Sequence, residues 1–317
     1  MKTKRIMLAL AALTFASAVL FSSCRKDNKK DEEKDSDTSA ASDNAMAENT
    51  SSDIMNIGSQ SMDNGSLTTY KMMPGGDDNL LTPMFGTVTI TPNLTAKTVT
   101  VTFASYIGTD GHLRNGTVLF NYSQSTNNAI HYRDSGLYVS VTTPTNDYYV
   151  DGNQVKIISK TIQNKGRVTN NNMTWAINAH LSIVKANNGG TIDWNCSRTQ
   201  VLLNTNATTY NGASLPAAYN GSATPISWTT ALVGISGTAN GTTAAGDSFN
   251  ATVSSQLVRN FNCSPDPNHI HRHPFVQGSI DFTPGTKATR HIDFGNGTCD
   301  LNAAVTINGT TYNITLP

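Results

Sequence analysis

The sequence has no excess of charge of either sign and few charged residues of any kind. Lysine and arginine together number 22, aspartate and glutamate also number 22, and charged residues make up 14% of the chain. A protein that grips the phosphates of nucleic acid needs a basic excess, so we expect no nucleic-acid partner. The low charge content is typical of a polar, exported β protein.

Signatures of common catalytic sites are also missing from the sequence. No serine lies in a Gly-x-Ser-x-Gly turn, and no phosphate-binding glycine loop joins a strand to a helix. Glycoside hydrolysis needs two carboxylates across a cleft, but Asp151 falls in a predicted hairpin turn, and Asp193, Asp281 and Asp293 fall at outward positions of strands. The sequence therefore predicts a protein that is not an enzyme.

Long hydrophobic runs are scarce, and the longest lies at the N-terminus. Lys2, Lys4 and Arg5 precede an apolar run over residues 6–21, which is shorter than the ~20 residues that a membrane-spanning helix needs. Two serines and Cys24 follow. This order of basic, apolar and small residues predicts a secretory signal peptide over residues 1–23.

The small-small-cysteine ending at Cys24 resembles the lipobox of bacterial lipoproteins, although Phe21 stands where an aliphatic residue is usual. The resemblance implies that Cys24 becomes the lipidated first residue and anchors the protein in the outer membrane, at its periplasmic face or on the cell surface. Several acyl chains hold a protein firmly, because each buried CH₂ contributes ~0.8 kcal/mol. The acidic cluster at residues 31–37 resembles a surface-export signal of Bacteroidetes-type lipoproteins.

Residues 24–80 are rich in charged and small polar residues. Positive and negative charges nearly cancel over residues 25–37, which contain nothing apolar to bury, and the chain remains rich in serine, aspartate, asparagine and glycine up to about residue 81. We therefore predict a mostly disordered tether over residues 24–80. Ile54, Met55 and Ile57 could form one short helix, beginning at Ser51 or Ser52.

From residue 81 to residue 317 the apolar residues recur with the period of β-strands. Val99, Val101 and Phe103, for example, alternate with threonines. Hairpin dipeptides separate such runs, at positions 151–152, 188–189, 240–241 and 308–309. The pattern predicts one all-β domain, built as an antiparallel meander or a β-sandwich.

One hairpin pattern occurs twice. GTVTITP at 86–92 matches GSIDFTP at 278–284, and an alternating strand follows each copy. We interpret the two copies as equivalent hairpins at the start and end of the domain, possible marks of two quasi-repeated halves. Chance similarity between threonine-rich strands is the alternative.

The domain resembles a family of uncharacterised Bacteroidetes-type outer-membrane lipoproteins. The resemblance implies an all-β fold and an envelope location but no chemistry, since the family has no assigned activity. It rests on these segments: DGHLRNGT at 110–117, NDYYV at 146–150, GTIDWNCSRT at 190–199, GISG at 234–237 and IDFGNGTCD at 292–300. The chain departs from the family at Cys196 and in the histidine-rich residues 268–273.

With Cys24 lipidated, three cysteines remain. Cys263 and Cys299 lie toward the same end of a predicted hairpin, and a disulfide between them would stabilise the fold by ~3–4 kcal/mol. A reduced buried pair is the alternative. Cys196 shares strand parity with Ile192 and Trp194, so we expect it in the core.

Residues 268–273 contain a cluster of metal-ligand type, His269, His271 and His273. Alternate residues of a strand share one face, which suits zinc. Prolines flank the cluster, however, and disfavour regular strand pairing, so we expect a solvated loop and no required cofactor, with zinc as the alternative. Candidate further ligands are Asp266, Asp281, Asp293 and His291.

Tyr148 and Tyr149 are adjacent, so one of them should face outward from a strand. An outward ring suits stacking on sugar, and also ordinary cross-strand packing. The sequence as a whole predicts a lipid-anchored envelope protein with a non-catalytic binding or structural β domain. The alternatives are a glycan-binding surface lipoprotein of a nutrient-uptake system and a metal-dependent enzyme that uses His269, His271 and His273. A protein ligand is equally compatible with the pattern.

Replacement of Cys24 tests the anchor. Cys24→Ala should abolish incorporation of labelled fatty acid into the protein and release it from the membrane fraction, because the residue that carries the lipid is removed. Cys196→Ala is the matched control and should stay membrane-bound. Lipid labelling of Cys24→Ala equal to that of the unaltered protein would contradict the prediction.

Overall fold

The computed structural model describes residues 38–63, 81, 83–132, 134–169, 172–203, 209–210, 213–214, 231–265 and 273–316. Within them the chain forms one α-helix, α1, Ser39–Asp63, and sixteen strands. The strands are β1 Pro83–Asn93, β2 Thr98–Gly108, β3 Leu113–Asn121, β4 Tyr138–Thr142, β5 Tyr149–Val150, β6 Asn153–Thr169, β7 Asn172–Val184, β8 Thr191–Leu202, β9 Thr209–Tyr210, β10 Ala213–Ser214, β11 Leu232–Thr242, β12 Ser248–Asn260, β13 Phe275–Pro284, β14 Arg290–Asn296, β15 Asn302–Ile307 and β16 Thr310–Thr315.

Fourteen of the strands form a single antiparallel sheet. Neighbouring strands in the sheet follow the order of the chain from β1 to β16. The short strand β5, like β4, pairs with both β3 and β6. Strands β9 and β10 are not part of this sheet and pair only with each other. The predicted all-β antiparallel class is confirmed, and of its two alternatives the meander is the correct one. Short connections favour this topology, because an antiparallel strand can return directly beside the one before it.

Two of the four predicted turn dipeptides have the positive φ angles expected of a hairpin at both residues. They are Asp151-Gly152, with φ of 51° and 80°, and Asn308-Gly309, with φ of 50° and 76°. Asn188 lies in a short 3-10 turn between β7 and β8. The turn predicted at Asn240-Gly241 is wrong, because both residues lie inside β11. A side chain at Gly241 would collide with the backbone carbonyl of Asp193 on β8, so glycine here permits close strand approach.

The repeated sequence pattern corresponds to two hairpins, β1–β2 and β13–β14, near the two ends of the sheet. Their registers differ. Val88 pairs with Phe103 in the first hairpin, whereas its counterpart Ile280 pairs with Ile292 in the second. The hairpins therefore share an alternation of side chains but not a strand register.

Helix α1 corrects the prediction of a disordered tether over residues 24–80. It occupies residues 39–63, and among its described side chains only Ser39 and Ser42 are exposed. Residues 24–37 and 64–80 lie outside the described residues, as do the predicted signal peptide and Cys24. No helix in the described part of the chain is both long and apolar enough to cross a membrane.

The described apolar side chains of α1 pack into the core of the domain. Ile54, Ile57 and Met62 are fully buried. Gly58 lies against the ring of Phe120 on β3, where a Cβ atom would come within 2.6 Å of a ring carbon. The helix therefore packs closely on the N-terminal part of the sheet.

Three acidic residues of α1 pair with cations of the sheet or its loops, and two of them, Asp43 and Glu48, are buried. Glu48 accepts hydrogen bonds from Arg198 on β8, at 2.6 and 3.2 Å, and Asp53 accepts two from Arg114 on β3. Asp43 pairs with Lys185, which follows β7, at 2.8 Å. Helix α1 itself contains no lysine or arginine, so every one of these cations comes from the sheet or its loops.

The spacing of these acids shows that the sheet surrounds the helix. Asp43, Glu48 and Asp53 are five residues apart, and five residues advance a helix by about 500°, or ~140° beyond a full turn. The three carboxylates therefore leave α1 on three different sides. Since each meets a partner of the sheet or its loops, the sheet curves around the helix.

The predicted disulfide between Cys263 and Cys299 is present, with the two Cα atoms 5.4 Å apart. It ties the loop after β12 to the loop after β14. Cys196 is a buried free thiol, as its strand parity predicts, and burial raises its pKa to about 11.

The Glu48–Arg198 pair offers a test of the enclosed helix. Glu48→Ala should lower the free energy of unfolding by about 3–5 kcal/mol, because Arg198, which is 3% exposed, would stay charged and buried without its partner. Urea denaturation measures the change. The double variant Glu48→Leu/Arg198→Met should recover much of the loss, since no charge is left unpaired.

Asp247→Asn is the matched surface control. It breaks the Lys287–Asp247 pair, in which both side chains are 41% exposed, and should cost less than about 1 kcal/mol. Equal small losses for Glu48→Ala and Asp247→Asn would contradict the enclosed position of Glu48.

Candidate functional site

A cavity of about 180 Å³ lies between α1 and the C-terminal strands of the sheet. Its apolar wall is formed by β13, β14, β16 and the residue that follows β16. These side chains are Phe275, Ile280, Ile292, Phe294, Ile314 and Leu316. They line the cavity because alternate residues of a strand share one face.

Polar side chains also line the cavity, and most of them come from α1. Asn44, Glu48, Asn49, Asp53 and Asn56 line it. The turns after β2 and β5 add Asp110, His112 and Asp151. The cavity therefore has one apolar side and one side rich in charge and amide groups, as many small-molecule sites do.

Arg114 links two carboxylates of the polar wall. Its Nη2 lies 2.6 Å from Asp53, and its Nη1 donates to Asp110 at 3.0 Å. Burial alone would raise the pKa of Asp110, but the hydrogen bonds and charge of Arg114 outweigh burial and lower it. Burial would lower the pKa of Arg114, and the two carboxylates raise it instead. Asp110 is therefore held as an anion, and both carboxylates are occupied by Arg114.

His112 and Asp151 form a second pair on the cavity wall, with Nδ1 and Oδ2 2.6 Å apart. Burial acts to lower the pKa of His112, but the hydrogen bond to Asp151 and the charges of Asp110 and Asp53 raise it overall. Burial would raise the pKa of Asp151, while His112 and the backbone N–H of Leu113 lower it. The pairing thus widens the range of pH over which both groups are charged.

Arg259 on β12 also lines the cavity, and it is only 7% exposed. Its Nη2 donates to the amide oxygen of Asn49 at 3.3 Å, and its guanidinium carbon lies 4.7 Å from the centre of the Phe275 ring. Burial lowers its pKa to about 10. Among the described residues no acid forms an ion pair with it, which sets Arg259 apart from Arg114 and Arg198.

Lys160 on β6 is a further buried cation, outside the lining of the cavity. It donates to Ser51 of α1 at 2.7 Å, and burial lowers its pKa to about 8. Its partner is a hydroxyl, so it too holds α1 through a polar contact.

The predicted histidine cluster is described only at His273. His269 and His271 lie outside the described residues. His273 lines the cavity and donates its Nδ1 proton to the carbonyl oxygen of Cys263 at 2.8 Å. The described residues contain no group of three or more histidine, cysteine, aspartate or glutamate side chains placed to hold a metal ion.

The other residues proposed as metal ligands are spread apart from His273. Asp281 and His291 pair with each other across β13 and β14 at 2.6 Å, and both are exposed. Asp293 is an exposed residue of β14 whose Oδ1 accepts the N–H of Gly295, and Asp266 lies outside the described residues.

Tyr148 and Tyr149 face opposite ways, as predicted. Tyr148 is fully buried, with its ring centre 6.0 Å from that of Phe103, so it is not available to stack on a sugar at the surface. A stacking role therefore stays a prediction for Tyr149 alone. Tyr149 is 36% exposed.

Neither a family model, nor a curated protein, nor a solved structure matches this chain. The resemblance to Bacteroidetes-type lipoproteins therefore stays a prediction. The features of the site have to be interpreted from its own geometry.

Sequence reasoning missed the residues that build the site. Arg114 and Arg198 lie in the segments that carry the family resemblance, but their acidic partners lie in the segment predicted as tether. A usable signal was present in residues 39–63, where acids recur without any lysine or arginine over a length of 25 residues. A stretch of that kind needs cations from elsewhere if it is to be buried.

The His112–Asp151 pair predicts a pH-dependent stability. Because the pKa of His112 is raised on folding, its contribution is fully present below the unfolded value of about 6.5 and is lost as pH rises through the folded pKa. His112→Gln should therefore destabilise the protein more at pH 5.5 than at pH 9. Urea denaturation at the two pH values measures the difference.

At the acid end the contribution is lost again, as pH falls through the lowered pKa of Asp151. His291→Gln is the control, because the His291–Asp281 pair has the same 2.6 Å distance but the His291 side chain is 48% exposed, against 31% for His112. Exposed pairs stabilise little, so this variant should change stability less. A loss for His112→Gln that is independent of pH would contradict the prediction.

Proposed function

We propose that the chain is a lipid-anchored lipoprotein of the cell envelope whose β domain is a non-catalytic binding module for a small molecule. The signal-like residues 1–23 and the lipobox-like ending at Cys24 support the anchor and its outer-membrane address. The cavity between α1 and the C-terminal strands supports the binding role. The ligand of this proposal occupies that cavity.

The size and walls of the cavity carry the proposal. An engineered cavity of about 150 Å³ lined by apolar side chains binds benzene, and this cavity is about 180 Å³ with six apolar side chains on one side. The polar side chains of the lining give an amphiphilic ligand a defined orientation. The ligand is therefore a compact molecule with an apolar body.

The state of the carboxylates favours binding over catalysis. A general base needs an oxygen free to take a proton from the substrate. Both oxygens of Glu48 accept hydrogen bonds from Arg198, and both oxygens of Asp53 accept them from Arg114. These acids hold α1 in place, so we assign them a structural task at the edge of a binding cavity.

Of the two alternatives, glycan binding has the weaker support now that Tyr148 is buried, since Tyr149 alone offers one partly exposed ring. A metal-dependent enzyme would depend on His269 and His271, and no feature of the described residues favours it. We therefore propose the cavity as the ligand site.

A neutral apolar probe tests the cavity. 2-Phenylethanol should bind the domain saturably in isothermal titration calorimetry. Ile314→Phe should abolish that binding, because Ile314 lines the cavity from the edge strand β16 and a larger side chain there occupies the space. Ile158→Phe is the control, since Ile158 is exposed and outside the cavity. Binding that survives unchanged in Ile314→Phe would contradict the proposal.

A further inference from the structure

We infer that the cavity takes a small apolar monocarboxylate, with the carboxylate bound by Arg259 and the apolar body packed against β13 and β14. This inference rests on the proposed binding function and names the class of ligand. It starts from one buried arginine whose hydrogen-bonding capacity the fold leaves largely unused.

The guanidinium of Arg259 is buried but poorly satisfied. Nη2 reaches only the neutral amide oxygen of Asn49, and Nε is buried with no hydrogen-bond partner among the described residues. The Phe275 ring adds a cation–π contact, which is weaker than a hydrogen-bonded ion pair. A buried charge without a counter-ion is costly, so an anion at this position would be stabilised strongly.

Arg114 and Arg198 show how two other buried arginines of the domain are held by α1. Each binds a carboxylate of α1 through two nitrogen atoms of the guanidinium. Arg259 reaches α1 as well, but the residue it meets there is Asn49. An incoming carboxylate would give Arg259 the kind of partner that α1 gives to the other two arginines. The planar guanidinium matches a carboxylate in shape.

The acids near the cavity do not exclude such an anion. Glu48 is neutralised by Arg198, and Arg114 lies between Asp53 and Asp110, so one negative charge of that trio is left without a cation of its own. His112, when protonated, offsets the charge of Asp151, its partner at 2.6 Å. Arg259 therefore lines the cavity as a cation with which no carboxylate of the described residues forms an ion pair.

The apolar wall determines the rest of the ligand. Phe275 both contacts the Arg259 guanidinium and lines the cavity, so a molecule bound to Arg259 extends along the face formed with Ile280, Ile292 and Phe294. A second charge would lie against these side chains without a partner, at a high desolvation cost. The ligand class is thus a single carboxylate on a compact aromatic or short aliphatic body.

Three probes of one shape test the charge preference. Phenylacetate, 2-phenylethanol and 2-phenylethylamine share an aromatic ring and differ in carrying a negative charge, no charge or a positive charge. Isothermal titration calorimetry on the unaltered domain should give the affinity order phenylacetate, then 2-phenylethanol, then 2-phenylethylamine. This measurement needs no variant, so it does not depend on whether a substituted protein folds.

Arg259→Met should then weaken phenylacetate about 10- to 100-fold, the loss expected for hydrogen bonds to a charged group, and leave 2-phenylethanol nearly unchanged. Lys165→Met removes one positive charge from an exposed lysine and should alter neither affinity. Circular dichroism checks that each variant is folded.

The outcomes separate the ligand class from the binding function. If 2-phenylethanol binds the cavity but phenylacetate binds no better, or Arg259→Met binds phenylacetate as well as the unaltered protein, the monocarboxylate inference is wrong and the binding function stands. If neither 2-phenylethanol nor phenylacetate binds, both the proposed binding function and the monocarboxylate inference are wrong. Tighter binding of 2-phenylethylamine than of phenylacetate would also overturn the inference.

Discussion

The rest of this structure depends on ion pairs between α1, whose charged residues are all acidic, and the sheet with its loops, which supplies the cations. Asp43, Glu48 and Asp53 leave α1 on three sides, and each meets a base of the sheet or its loops. Such buried pairs add little net stability, because desolvation offsets the attraction between the charges. Removing one partner is costly, however, so the pairs restrict α1 to one rotation and one depth inside the sheet.

The cavity follows from how these contacts are distributed. The strands that bear the cations, β3, β8 and β12, hold α1 with charged side chains, whereas β13, β14 and β16 turn aliphatic and aromatic side chains toward it. A polar helix face and an apolar strand face do not interlock as two apolar faces do, and the space between them is the cavity. Arg259 lies where the two kinds of wall meet, which gives the site both an apolar side and a cation.

Much of the sheet could be predicted because its signal is local. Alternation of apolar and polar residues marks each strand, and dipeptides such as Asn308-Gly309 mark the turns. The same local reasoning failed at Gly241, where glycine serves a close approach between β11 and β8. It failed over most of α1, of which only a short helix around Ile54, Met55 and Ile57 was predicted, because a helix with many polar and charged buried residues resembles a solvated linker in composition.

On its own, the order of amino acids was enough to specify the β class, the inward parity of Cys196 and a plausible disulfide partner for Cys263, since each depends on neighbours in the chain or on strand parity. Only the folded chain decides that Glu48 and Arg198, 150 residues apart, neutralise each other. Only the folded chain decides that Tyr148 is buried, and that Arg259 contacts an amide whereas Arg114 and Arg198 contact carboxylates. Those outcomes depend on which groups share the interior, because a buried charge is defined by its partners rather than by its position in the sequence.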